Sequence, residues 1–233
     1  MLTDIQGGKS KIISLTDTFD LPDWNKSWQG KILFIANPNS PTGGLFSNRK
    51  ISDICKKFKG IVVLDEAYVD FAESSGLTLL KMHTNLLISR TVSKSYSLAG
   101  MRVGWAMGSK ELISSLYLTK DSYNVNLLSQ IAAKTALEDR NYFRRTRKRI
   151  IQSKKRLIKE LEKLSFDIYR SDANFIFTSP PNRDGKSLYQ YLKKKKILVR
   201  FWNLPRLREG ARITVGKDHE IDILLKEIKN WMH

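Results

Sequence analysis

Short apolar runs punctuate the first half of the chain, and each passes into a polar or glycine-bearing turn. Residues 31–36 lead into Asn37-Pro38-Asn39-Ser40-Pro41-Thr42-Gly43-Gly44, and 61–64 lead into Asp65-Glu66-Ala67-Tyr68. Residues 86–89 lead into Arg90-Thr91-Val92-Ser93-Lys94, and 103–107 end at Gly108. Unbroken apolar runs this short suit strands covered on both faces, where no polar side is needed. Residues 48–58, between the first two runs, are a helical candidate. Buried strands with helical crossovers predict an α/β layered domain with a mainly parallel sheet.

The pattern then changes. Residues 111–118 and 127–137 read as short helices, and 139–164 as one long basic helix uninterrupted by Pro or Gly. Beyond it, short strands are expected at 166–169, 174–178, 197–201 and 212–215, alternating with helices at 186–195 and 219–231. This predicts a smaller α+β domain, dividing the chain into 1–145 and 146–233. No repeat or low-complexity linker is visible.

Composition narrows the function classes. The chain has 233 residues, 41% hydrophobic and 10% aromatic, so it can bury a core and is not disordered throughout. The single cysteine, Cys55, excludes an internal disulfide. The three histidines, His83, His219 and His233, lie far apart, and no metal site is expected. No apolar run approaches the roughly 20 residues of a membrane helix, and no signal peptide is visible at Met1-Leu2-Thr3-Asp4. A soluble, cytoplasmic protein with no membrane partner is the expectation.

The formal charge is +18. Much of the excess lies at 144–156 and 193–196. In the long helix, Ile150, Ile151, Leu157, Ile158 and Leu161 recur at helical spacing, so the basic residues form its solvated face. A nucleic-acid surface is the less favoured reading, because no nucleic-acid-binding signature accompanies the charge.

Val62-Val63-Leu64-Asp65-Glu66 reads as a strand ending in two carboxylates, a pattern that also suits a magnesium-binding strand of a P-loop ATPase. That reading needs G-x-x-x-x-G-K-[ST]. The one candidate, Gly8-Lys9-Ser10, has Thr3 at the first glycine position and no room for a preceding strand, which excludes it. Lys94 follows another buried strand. Alone it would read as a surface lysine, but Thr91, Ser93 and Arg102 surround it in sequence. Hydroxyls and an arginine supply the donors of a phosphate site. A lysine beside a phosphate site and a strand-end carboxylate suits pyridoxal phosphate: the lysine forms a Schiff base, and the carboxylate keeps the pyridine nitrogen protonated.

At these residues the chain resembles the fold-type-I, class I/II pyridoxal-phosphate-dependent aminotransferases, and within them the histidinol-phosphate aminotransferase branch. The resemblance runs through Arg90-Thr91-Val92-Ser93-Lys94-Ser95-Tyr96-Ser97-Leu98-Ala99-Gly100-Met101-Arg102-Val103-Gly104-Trp105. The Asn-Pro-Asn-Ser-Pro-Thr-Gly turn and the Val-Leu-Asp-Glu-Ala-Tyr strand precede it in family order. Leu198-Val199-Arg200 and Ala211-Arg212-Ile213-Thr214-Val215-Gly216 follow, so the resemblance covers essentially the whole chain.

The resemblance implies these roles. Lys94 is the Schiff-base lysine and proton shuttle, Asp65 the partner of the pyridine nitrogen, and Tyr68 the tyrosine on the ring oxygen. Thr91, Ser93 and Arg102 hold the cofactor phosphate. Arg212 grips a substrate carboxylate or phosphate, and Arg200 is a second anion ligand. Glu66 reads as structural. Tyr123 and Asn124 either line the pocket or form a helix-entry turn. Many relatives carry an asparagine before Pro-Thr-Gly that touches the ring oxygen. This chain has Ser40 there, which shifts the expected contact toward Asn39.

About a third of the family's length precedes the Asn-Pro-Asn turn, including an N-terminal arm, a phosphate-binding loop, a ring-stacking aromatic and a tyrosine that reaches the partner subunit. None is found here, so the resemblance implies a truncated chain missing part of the large domain. Weak cofactor binding and little activity are expected of it alone. The implied parent reaction is transamination of histidinol phosphate with glutamate and 2-oxoglutarate, in a homodimer. Alternatives are a threonine-phosphate decarboxylase-like enzyme, an aromatic aminotransferase, or a non-catalytic remnant.

Overall fold

The computed structural model describes residues 2–232; His233 lies outside them. After a short helix α1 (Leu2–Ile5), an extended segment leads to a four-stranded sheet. Its strands are β1 (Ile32–Ala36), β2 (Ile61–Asp65), β3 (Leu86–Thr91) and β4 (Gly104–Met107). Their order is β1-β2-β3-β4, the first three parallel and β4 antiparallel on β3. The parallel crossover between β1 and β2 is made by α2 (Asn48–Lys57). Ser47 caps this helix by accepting from Lys50 N, and Ile51 and Ile54 bury its apolar face against Val62, Leu64, Leu86 and Ile88.

Helices α3 (Lys110–Thr119), α4 (Leu127–Glu138) and α5 (Arg140–Lys163) follow. Ser109, Asn126 and Asp139 each cap the next helix through a side-chain oxygen, which is why these polar residues mark the starts. A second, antiparallel sheet comprises β5 (Asp167–Ile168), β6 (Phe175–Ser179) and β7 (Ala211–Thr214), in the order β5-β6-β7. It packs with α6 (Gly185–Lys194), α7 (Asp218–Met232) and the later turns of α5 around Leu157, Leu161, Ile176, Leu188, Leu192 and Ile228, all fully buried.

Residues 197–201, expected as a strand, pair with the second sheet only through the bridge Arg200–Arg212. Lys196 takes a left-handed φ of 62°, and Ile197 N bonds back to Leu192 O, so the first residues of this stretch finish α6 rather than extend a ladder. The long basic helix was expected to be amphipathic, and Leu157 and Leu161 do face the core. Lys154 is the exception on the basic side. It is buried, and its ammonium donates to Ser171 O (2.7 Å) and Ala173 O (2.8 Å). Burial pushes its pKa down, partly offset by nearby Asp172.

The two sheet regions touch through α5 and two loops. Arg147 donates to the carbonyls of Asp70 and Ala72, the latter at 3.1 Å, while the later turns of the same helix belong to the second core. Asp172 N donates to Gly43 O (2.8 Å), and Gly43, at φ +87°, lies so close to Ser171 that no Cβ would fit.

Candidate active site

The candidate residues lie where strands end. Asp65 is the last residue of β2, and in the sheet register it faces Ser89 on β3. Its Oδ1 accepts from Ala67 N (3.0 Å) and Ser89 Oγ (3.3 Å), which orients the carboxylate while leaving it exposed. Its neighbour Glu66 points the other way and is sealed. Glu66 Oε2 accepts from Arg90 Nε (3.0 Å) and Nη2 (2.7 Å), and Oε1 from Gly76 N (2.6 Å). Adjacent strand residues point to opposite faces, so the pair Asp65-Glu66 divides into one outward acid and one buried anchor. Arg90 is thereby fixed at the start of the segment that carries Thr91, Ser93 and Lys94.

Thr91 ends β3. Its Oγ1 accepts from Ser93 N (3.1 Å) and lies 2.8 Å from Ser93 Oγ and 3.0 Å from Val103 O. The Thr91 hydroxyl has one proton to give to those two acceptors. When Ser93 Oγ accepts it, Ser93 keeps its own proton for an outside acceptor. Arg102 adopts φ 56°, ψ 38°, in the left-handed region that non-glycine residues rarely enter. Its Nη1 donates to Ala99 O (2.9 Å), which folds the side chain back over the turn after Lys94. Such strain collects where a side chain is held for function.

Lys94 is exposed, with Nζ 5.2 Å from the centroid of the Tyr68 ring. Tyr68 packs edge-on against Phe175 of β6, centroids 5.0 Å apart, so the two regions meet here. Arg212 of β7 lies over the other side of this contact, Cζ 4.9 Å from the Phe175 centroid, and its Nη1 donates to Ser40 Oγ (3.0 Å). Arg200 reaches the same place through its bridge to Arg212. Among the described residues neither arginine forms an ion pair.

Lys94, Tyr68, Arg212 and Arg200 are therefore linked by a continuous series of contacts. Asp65, Thr91 and Ser93 sit on neighbouring strand ends of the same sheet. Asn39 is placed in the adjacent turn, but its amide donates to Thr42 Oγ1 (2.8 Å), and its backbone bonds Gly44 O and Gly43 N. These bonds hold the loop, while Ser40 touches Arg212. Tyr123 and Asn124 are exposed, Tyr123 at 96%, in the turn that leads to the α4 cap. Phe175 and Trp202 escaped the sequence reading. Trp202 had one available signal, its position two residues beyond Arg200 on an alternating stretch.

An acid, a lysine, two hydroxyls and an arginine at adjacent strand ends form a donor set that fits a phosphorylated pyridine aldehyde. Residues 16–228 match the family model of "Aminotransferase class I and II". A histidinol-phosphate aminotransferase from Geobacter sp. strain M21 is 40% identical over 228 residues, covering 98% of this chain and 65% of the relative. The chain thus spans about two-thirds of that relative's length. The solved histidinol-phosphate aminotransferase of Clostridium acetobutylicum is 28% identical, with TM-score 0.80, over 86% of this chain and 63% of that one. The Sinorhizobium meliloti histidinol-phosphate aminotransferase, solved with pyridoxal-5'-phosphate, shares the fold at TM-score 0.89 and 20% identity, over 99% of this chain and 66% of that one. No helix among the described residues is long and apolar enough to cross a membrane. With its family model matched over nearly its whole length, this chain belongs to the class I and II aminotransferases, a pyridoxal-phosphate-dependent family.

Proposed function

We propose that this chain carries the lysine, ring-acid and substrate-arginine parts of a pyridoxal-phosphate-dependent transaminase, acting on histidinol phosphate with glutamate and 2-oxoglutarate as the second pair. The observation that carries the reading is one line of contacts: Lys94 over Tyr68, Tyr68 on Phe175, and Phe175 under Arg212, with Arg200 bridged beside it. The lysine amine and two arginines that form no ion pair among the described residues are thereby gathered at one junction.

In this reading Thr91, Ser93 and Arg102 hold the cofactor phosphate, Asp65 accepts the pyridine N–H, and Tyr68 and Asn39 serve the ring oxygen. When bound, pyridoxal phosphate supplies an electron sink for charge developing at the substrate Cα. Lys94 Nζ is the base that takes the proton from that Cα and later returns it. Arg200 and Arg212 orient the substrate by its anionic groups, as guanidinium forks bind carboxylate and phosphate. Residues 1–145 form the cofactor domain and 146–233 the substrate-arginine domain. The whole protein works as a cytoplasmic homodimer.

The test incubates the purified chain with pyridoxal phosphate, reduces with borohydride and maps the modified peptide. Amino transfer from histidinol phosphate to 2-oxoglutarate is assayed in parallel. Cofactor mass on Lys94 together with amino transfer supports the reading. Release of CO₂ from threonine phosphate without amino transfer would replace it with the decarboxylase alternative. Label on Lys94 with little turnover is the outcome expected of a chain that spans about two-thirds of its relatives' length and also supports the reading, whereas absence of both label and turnover would leave a non-catalytic relative.

A further inference from the structure

Arg200 and Arg212 face each other across an antiparallel bridge, with Arg200 N donating to Arg212 O (3.0 Å) and Arg212 N to Arg200 O (2.8 Å). Like charges placed directly opposite in a strand pair repel. Among the described residues no carboxylate relieves them. Both guanidinia lie against one ring, that of Trp202. Its ring centroid is 5.3 Å from Arg200 Cζ and 5.5 Å from Arg212 Cζ. Phe175 holds Arg212 from another side, and Arg212 Nε is buried without a partner.

We propose that Trp202 is a positioning residue: its indole holds both guanidinia together without neutralising them, so that their combined charge serves one doubly charged oxyanion. The inference rests on the anion-binding reading of Arg200 and Arg212 given above. The physical reason for a ring here is specific. A carboxylate at this place would hold the arginines equally well but would consume their charge. An aromatic face attracts a guanidinium through its quadrupole and leaves the formal charge intact for a ligand. Two of the three groups, Arg200 and Trp202, lie two residues apart in sequence, and the bridge aligns Arg212 with them.

The experiment uses the full chain labelled with ¹⁵N-arginine. The Nε–Hε signals of Arg200 and Arg212 are assigned with Arg200→Lys and Arg212→Lys. In the unaltered chain both signals should be ring-shifted and rigid. Trp202→Leu should make them mobile and unshifted, and Trp202→Phe should restore most of the rigidity. Titration calorimetry with inorganic phosphate and, separately, 2-oxoglutarate should show affinity for both falling about tenfold in Trp202→Leu and largely recovering in Trp202→Phe. The two ligands separate a phosphate-selective pair from a general oxyanion site.

Unchanged arginine mobility in Trp202→Leu overturns the inference, whatever happens to affinity. Equal affinities for the Leu and Phe variants overturn it too, because the ring would then play no part. If the unaltered chain binds neither anion, the substrate reading of the arginines fails, while their mobility still decides the positioning role. Trp202→Met replaces the Leu variant if that chain does not fold.

Discussion

In the C-terminal sheet, Phe175, Ile176 and Phe177 are consecutive and none is more than 1% exposed, whereas Ile32 and Phe34 of β1 are 50% and 71% exposed. The second sheet is covered by three helices that meet over it, with Leu157, Leu161, Leu188, Leu192 and Ile228 as their contacts. The first sheet is sealed on the side of α2, where Ile51, Ile54, Leu64 and Ile88 are buried to 1% or less. Its other side keeps apolar side chains in water, as do Leu118 of α3 (87%) and Leu128 of α4 (76%). The first sheet is therefore covered on one face, whereas the second has helices on its Ile176 face and the rings of Tyr68, Phe19 and Tyr169 against Phe175 and Phe177 on the other. An apolar surface of the first kind favours association, which the +18 charge opposes only at low salt.

This contrast can be broken at the chemistry first. Asp65→Asn should leave folding intact and lower transamination by several orders of magnitude in a cofactor-loaded preparation, measured as turnover of histidinol phosphate. A neutral amide cannot hold the ring nitrogen's proton. A mild loss would make Asp65 an ordinary strand-end residue.

Next comes the anchor. Glu66→Ala strips the partner from Arg90 in a buried setting and should cost about 3–5 kcal/mol in urea unfolding, the range for one member of a buried pair left unpaired. A cost under about 1 kcal/mol would show that Arg90 swings out to water.

A paired test addresses the covering itself. Leu157→Ala, at a fully buried site, should cost about 2–5 kcal/mol. Phe34→Ser, at a 71% exposed site, should change stability by less than about 0.5 kcal/mol and reduce self-association in high salt, read by sedimentation. Comparable costs at the two sites would erase the contrast.

The smallest effect is a pH dependence confined to the first region. His83 is buried, with Nε2 2.8 Å from Ser52 Oγ, and burial with the nearby charge of Lys56 pushes its pKa below 6.5. The folded pKa is lower than the unfolded one, so its contribution is complete above pH 6.5 and is lost as pH falls through the folded pKa. Urea midpoints should drop between neutral pH and about pH 5 in the unaltered chain, and less in His83→Gln. Parallel slopes would assign the acid sensitivity elsewhere.

Strands, helices and the parallel order were legible because each apolar run is short and bounded by turn chemistry, and a helical pattern separates the first two. The stretch 197–201 was not legible. Its alternation is real, with Ile197 and Val199 half-buried and Leu198 82% exposed, but only one bridge forms, and alternation does not count ladder bonds. At the candidate site, the residue types around Lys94 could be read from local order, because they follow one strand. The contacts that join the regions could not. Tyr68 to Phe175 and Ser40 to Arg212 are separated by more than a hundred positions in the chain, and a one-dimensional pattern carries no sign of such pairs. Asn39 shows what residue type alone leaves out: it suits a ring contact, and its amide also donates to Thr42 Oγ1 within its own turn, a bond that the sequence did not announce.

Helix α5 is a single rod of 24 residues, about 36 Å long at 1.5 Å per residue. Arg147 in its second turn grips the carbonyls after β2, and Lys154, Leu157 and Leu161 grip the second core. Hydrogen exchange should register this shared ownership. An amide in the middle of α5 can open only when both of its neighbours have let go, so it should exchange with the global free energy of unfolding, while those of α3, none of whose residues is buried, exchange through local fraying. The rod should thereby make the two regions melt together, as a single transition in urea rather than two.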